Sequence, residues 1–225
     1  MTDTNLLAAA LQGTRWAKTL TPEQNERVQR ESGERLVKAG AYVCRQGDSP
    51  DHWIGVINGL LKMSSVSKSG KAITFTGMLT GGWFGEGSIL KNEMRLYDVV
   101  ALRETRIALV PRATFQWLLD TSIGFNHFLL HQLNARLGVF VSLVEYDRTL
   151  DPDARVARCV AALFDPQLHA ESESRLKISQ EELGYLCSTS RQRTNQALRV
   201  LEVAGLIKVE YGEITILNLE QLRNY

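Results

Sequence analysis

Arg191, Gln192, Asn195, Gln196 and Arg199 recur at spacings that place them on one face of a helix. All five are long or polar side chains ending in planar donor groups, with little apolar surface. Arginine can bond guanine bidentately in the major groove, Gln and Asn can do the same to adenine, and a helix is about as wide as that groove. The expected chemistry is base reading, with Arg191, Gln192 and Gln196 touching base edges. Ser179, Gln180, Ser190, Arg193 and Arg199 are the expected phosphate contacts, which position a protein without reading sequence. A solvated surface helix can show the same composition, so the flanking elements have to decide.

Those elements are well marked. Ser179 followed by Glu182 has the form of a capping box and predicts a first helix that buries Leu183 and Leu186. Ser190 is a suitable N-cap for a second helix, in which Thr194, Ala197, Leu198 and Leu201 form the inward stripe. Gly205 suits a helix end, and two β-branched runs flank Tyr211-Gly212-Glu213 as in a small hairpin. Helix, turn, helix and hairpin make a winged helix-turn-helix. Here the chain resembles the Crp/Fnr family of bacterial transcription regulators, through Ser190-Arg191, Leu198, Leu201 and Glu202.

Between Leu36 and Val110 short β-rich runs are broken by glycines, which predicts an antiparallel sandwich or barrel. Gly40 to Asp48 and Trp53 to Gly59 resemble the opening of a cyclic-nucleotide-binding β-roll. In that fold a nest of backbone amides and one arginine hold the effector phosphate. The resemblance implies Gly85, Glu86 and Arg95 as effector contacts, joined by Leu96 and Phe140. Leu96 stands where cyclic-AMP responders carry a small hydroxyl residue, and Phe140 and Val141 stand where the receptor's helix offers hydroxyls to adenine. Each polar partner lost in this way costs roughly 1 to 3 kcal/mol, so cyclic AMP is not the expected effector. The residues leave open an apolar effector against Phe140, Trp83 or Phe84, and also no effector at all.

A long helical run from about Ser122 to Arg148 carries Leu130, Leu133, Leu137, Phe140 and Val144 at alternating steps of three and four, which predicts a parallel two-fold dimer helix. Asp151 with Pro152 caps and starts the next helix and marks a hinge. Val156, Val160, Leu163 and Phe164 should face the carboxy-terminal core. The acidic loop from Asp165 to Ser174 lies where the family can touch RNA polymerase. The expected division is a β-roll sensor over 1–120, a dimerisation helix and hinge over 121–150, and the winged helix-turn-helix over 151–225. The fold class is α+β.

Composition narrows the function. Of 225 residues, 26 are Lys or Arg and 25 Asp or Glu, a net charge of +1, so DNA affinity must come from local placement rather than bulk charge. Cys44, Cys159 and Cys187 are far apart in sequence and form no iron-sulfur or zinc ligand set. His127 and His131 lack an obvious third metal ligand, and no paired carboxylate motif suggests an enzyme. No signal peptide or membrane span is expected. The expectation is a cytoplasmic homodimer that binds double-stranded DNA at an inverted repeat and answers to an unidentified small molecule. The alternative is a ligand-binding module whose carboxy-terminal helices contact protein.

Overall fold

The computed structural model describes residues 4–66, 70, 72–149, 151–165, 168 and 175–225. Alternation at period two sorts strand β3 (His52–Asn58) between two environments. Trp53 and Ile57 face a layer of helices, whereas Ile54 and Val56 face a second sheet. Gly55, on the helix side, leaves room for an indole: a Cβ there would stand 2.6 Å from the Trp83 ring.

β3 belongs to a four-stranded antiparallel sheet ordered β1 (Gly33–Val37), β8 (Thr105–Pro111), β3 and β6 (Trp83–Phe84). The second sheet is ordered β2 (Tyr42–Cys44), β7 (Asp98–Ala101), β4 (Leu60–Val66) and β5 (Ala72–Leu79). Val43, Ile54, Leu61, Met63, Phe84, Val99 and Ile107 fill the space between the sheets. On the outer face of the first sheet Trp16, Trp53, Trp83, Phe115 and Phe125 form an aromatic cluster, with Trp53 and Trp83 centroids 4.3 Å apart. Helices α1 (Thr4–Gln12), α2 (Pro22–Glu31), α3 (Glu86–Lys91), α4 (Arg112–Thr121) and α5 (Ile123–Thr149) supply its cover. Thr21 caps α2 through a reciprocal capping box with Gln24.

Helix α5 has two working faces. Phe125, Leu129 and Gln132 are buried toward the roll, while Ile123, His127, Leu130, Asn134, Leu137 and Val141 are exposed. Of the expected seam, Leu130, Leu137 and, at 39%, Phe140 are exposed, Leu133 is half-buried, and the side chain of Val144 lies outside the described residues. Phe140 turns toward Phe75 of β5 with ring centroids 6.3 Å apart, and Asn134 and Val141 share the exposed surface with Leu130 and Leu137.

After α5, Asp151 caps α6 (Pro152–Leu163) by accepting from the amides of Asp153 and Ala154 at 2.8 and 2.9 Å. Most of the acidic loop expected over 165–174 lies outside the described residues. Next come β9 (Arg175–Lys177), α7 (Gln180–Cys187), α8 (Arg191–Val203), β10 (Ile207–Glu210), β11 (Glu213–Ile216) and α9 (Leu219–Arg223). Val156, Val160, Leu163, Leu183, Leu198, Leu201, Ile214 and Leu222 share one core. Leu60 of the roll joins this core, and Leu79 and Leu102 pack on it.

Replacing Gly55 by Ala forces a methyl group into the buried Trp83 ring. The expected loss is about 1–3 kcal/mol of stability, read as a lowered urea midpoint with an unchanged slope.

Candidate DNA-reading face and effector pocket

The reading element is assembled by short-range chemistry. Ser179 Oγ accepts from Glu182 N while Glu182 Oε2 accepts from Ser179 N, at 3.2 and 2.7 Å, which starts α7. Ser188 ends α7 in the left-handed region at φ 53°. The turn then closes tightly, because a Cβ at Gly184 would lie 3.0 Å from the Thr189 carbonyl oxygen. Thr189 and Thr194 hydroxyls meet at 2.7 Å, and Ser190 Oγ accepts from Arg193 N to start α8.

With Thr194, Ala197, Leu198 and Leu201 buried, Arg191, Gln192, Gln196 and Arg199 are exposed and Asn195 is half-buried. Four of the five planar-donor side chains therefore share one free surface. Arg193 does not join it: its Nη2 lies 3.0 Å from Asp153 Oδ1 in α6, an ion pair that holds α8 to the helix after the hinge. Of the expected phosphate contacts, Arg193 is thus the one engaged by a carboxylate in this structure. Ser179 and Ser190 use their hydroxyl oxygens as caps, and Gln180 is half-buried at the start of α7. Glu202 Oε1 accepts from Val209 N at 2.8 Å and fixes the wing to α8.

The second group of expected residues gathers at the inner side of α5. Glu86 and Arg95 are 2 and 3% exposed, and Gly85 takes φ 97° beneath them. A Cβ on Gly85 would stand 2.1 Å from Arg95 Nη1, so only glycine admits this guanidinium. Arg95 Nη2 donates to the His52 carbonyl oxygen at 2.6 Å, while its Nε and Nη1 have no hydrogen-bond partner among the described residues. Leu96, the next residue, is 58% exposed and faces solvent.

Two residues missed in the sequence complete the pocket. Arg136 of α5 brings Nε to 3.2 Å from Glu86 Oε1 and donates from Nη2 to the Trp83 carbonyl oxygen. Gln132 Nε2 donates to that same carbonyl at 3.3 Å. Glu86 Oε2 has no hydrogen-bond partner among the described residues. Burial first, and the Glu86 carboxylate second, push the Tyr97 hydroxyl up to about 12, so it stays protonated. Beside this cluster a cavity of about 20 Å³ is lined by Thr76, Gly77, Met78, Arg136, Val139 and Phe140. A cavity of that size holds about one water and no purine. Arg136 carries no sequence signal of its own, because a charged residue on a long helix ordinarily reads as solvated surface.

The reader is also tied to the roll. Arg103, between β7 and β8, meets Glu182 of the capping box with Nε–Oε1 at 2.8 Å and Nη2–Oε2 at 3.2 Å, and donates to the Lys177 carbonyl oxygen at 2.8 Å. Cys159 and Cys187, remote in sequence, flank the reader core together. Burial, then the adjoining Cys159, hold the Cys187 thiol well above its ordinary pKa. Among the described residues no three of His, Cys, Asp and Glu converge as metal ligands, and no helix is long and apolar enough to cross a membrane.

Comparison with known proteins agrees with both halves. Residues 34–122 match the cyclic nucleotide-binding domain and residues 154–225 the Crp-like helix-turn-helix domain. The transcriptional regulator SdrP of Thermus thermophilus is 26% identical over 190 residues, spanning 83% of this chain and 90% of that protein. The transcriptional regulator LdrP of the same organism is 27% identical over 171 residues, spanning 73% and 82%. The structure of FixK2 from Bradyrhizobium japonicum superposes with a TM-score of 0.69 over 86% of this chain and 96% of that one, at 15% identity, and so speaks for the fold alone.

Arg136→Ala leaves Glu86 buried without its cation, an expected loss of about 3 kcal/mol in chemical denaturation. Adding Glu86→Gln should recover part of that loss; if both variants keep wild-type stability, the pair contributes nothing.

Proposed function

The chain is a member of the Crp/Fnr family of transcription regulators, carrying a helix-turn-helix DNA-binding domain, and from that premise we propose that it reads an inverted-repeat operator as a homodimer. The observation that carries the proposal is the free face of α8: Arg191, Gln192, Gln196 and Arg199 are exposed while the opposite stripe is buried in the reader core. Arg191, Gln192 and Gln196 are the base-reading side chains. Arg199, Ser179, Ser190 and Gln180 meet phosphates, the two serines through the hydroxyl protons left free by their capping bonds.

Two such faces must stand about 34 Å apart to enter successive major grooves. The exposed stripe of α5, Leu130, Asn134, Leu137 and Val141, provides the dimer contact that sets this distance. Asp151, at the break between α5 and α6, is the hinge. Reading chromosomal DNA implies a cytoplasmic protein.

The roll acts as the sensor, and its effector is not cyclic AMP. Supporting this are the engagement of Glu86 by Arg136 and the outward turn of Leu96. Any effector has to compete with Arg136 for Glu86, or use Nε and Nη1 of Arg95. Either event would alter the grip of the roll on α5, and a displaced α5 would reposition the readers.

Arg191→Ala should cost about 1–3 kcal/mol on the cognate operator and relax one base position. Titration of the operator and of a randomised duplex, at one salt concentration, checks this. Equal losses on both duplexes would reassign Arg191 to the phosphate backbone.

A further inference from the structure

Building on the homodimer reading, we propose that Asn134 sets the orientation, register and two-chain state of the α5 pair by bonding to the partner's Asn134 across the two-fold axis. The exposed surface of α5 also includes His131, Gly138 and Phe140, and within it Ile123, His127, Leu130, Asn134, Leu137 and Val141 follow one another at steps of four, three, four, three and four. That is a heptad seam in which Ile123, Leu130 and Leu137 occupy the d positions and His127, Asn134 and Val141 the a positions. Leucine at d with a β-branched residue at a favours two parallel strands, and asparagine at an a position specifies register and oligomer state at a cost in stability.

Asn134 meets the physical requirements for that role. It lies between Leu130 and Leu137, each more than 60% exposed, and its carboxamide has no hydrogen-bond partner among the described residues. An isolated helix therefore presents a polar group in the middle of its apolar stripe. A carboxamide both donates and accepts, so it can satisfy an identical group opposite it. Only a second copy of this chain, parallel and in register, presents such a group at the same level. In an antiparallel pair an a position faces a d position, so Asn134 would be buried against leucine with nothing to bond. A slip of one heptad would set it against His127 or Val141. The cost of each alternative is a desolvated amide on both chains. Correct register matters here because both readers hang from the carboxyl end of this helix, and an axial offset in α5 becomes an offset between the two α8 faces.

The test uses the full chain in three forms: wild type, Asn134→Leu and Asn134→Cys. Sedimentation equilibrium of Asn134→Leu should show tighter association by about tenfold together with species larger than a dimer. Binding to a two-half-site operator should weaken while far-ultraviolet circular dichroism stays unchanged. Asn134→Cys should form an intermolecular disulfide under copper-phenanthroline oxidation, whereas wild type and Ala135→Cys, treated alike, should not. A wild-type monomer would overturn the homodimer reading itself. A wild-type dimer with an Asn134→Leu variant that stays strictly dimeric at unchanged affinity, or with an uncrosslinked Asn134→Cys, would overturn the role of Asn134 alone.

Discussion

One helix has to satisfy three environments at once, and the rest of the molecule is arranged around that constraint. Over its 27 residues α5 packs Phe125 and Leu129 into the tryptophan cluster, sends Gln132 and Arg136 to the Trp83 carbonyl, and leaves Leu130, Asn134, Leu137 and Val141 free. Both faces obey three- and four-residue steps, so neither can rotate without disturbing the other. The pocket residues Gln132 and Arg136 and the exposed stripe therefore share one helical backbone.

The pocket resembles a ligand site whose own chain supplies part of the ligand. Arg136 brings a cation to Glu86 from the α5 side, while Arg95, packed flat on Gly85, keeps Nε and Nη1 open. A buried polar network satisfied only in part is energetically exposed, since each unpaired group loses its hydration without full return. Such a network is also responsive, because a modest polar group can exchange with a partner already present.

The reader half is held at two points of different character. Arg193 and Asp153 join α8 to α6 within the domain, whereas Arg103 and Glu182 join the domain to the roll. Glu182 serves both the capping box of α7 and the Arg103 contact, so the start of the reading element and its docking share one carboxylate. Leu60, Leu79 and Leu102 add apolar contact at the same junction.

Local chemistry was legible in the sequence. The caps at Thr21, Asp151, Ser179 and Ser190, the glycine end at Gly205, the wing hairpin and the buried stripe of α8 each depend on residues within a turn or two of one another. Gly85, Glu86 and Arg95 were legible only through the resemblance to a cyclic-nucleotide-binding β-roll. What the sequence could not rank was the facing of α5. Leu130, Leu133, Leu137 and Phe140 make as good a heptad as Leu130, Asn134, Leu137 and Val141, and apolar residues surround the helix on both sides. The docking of Phe125 and Leu129 among the tryptophans decides which face of α5 is buried, and with it the insertion of Arg136 and the outward position of Asn134. The withdrawal of Arg193 to Asp153 and the meeting of Cys159 with Cys187 are decided separately, by packing of α6 against α7 and α8. Period and capping are decided by near neighbours along the chain, whereas the facing of a helix apolar on two sides is decided by partners far away in sequence.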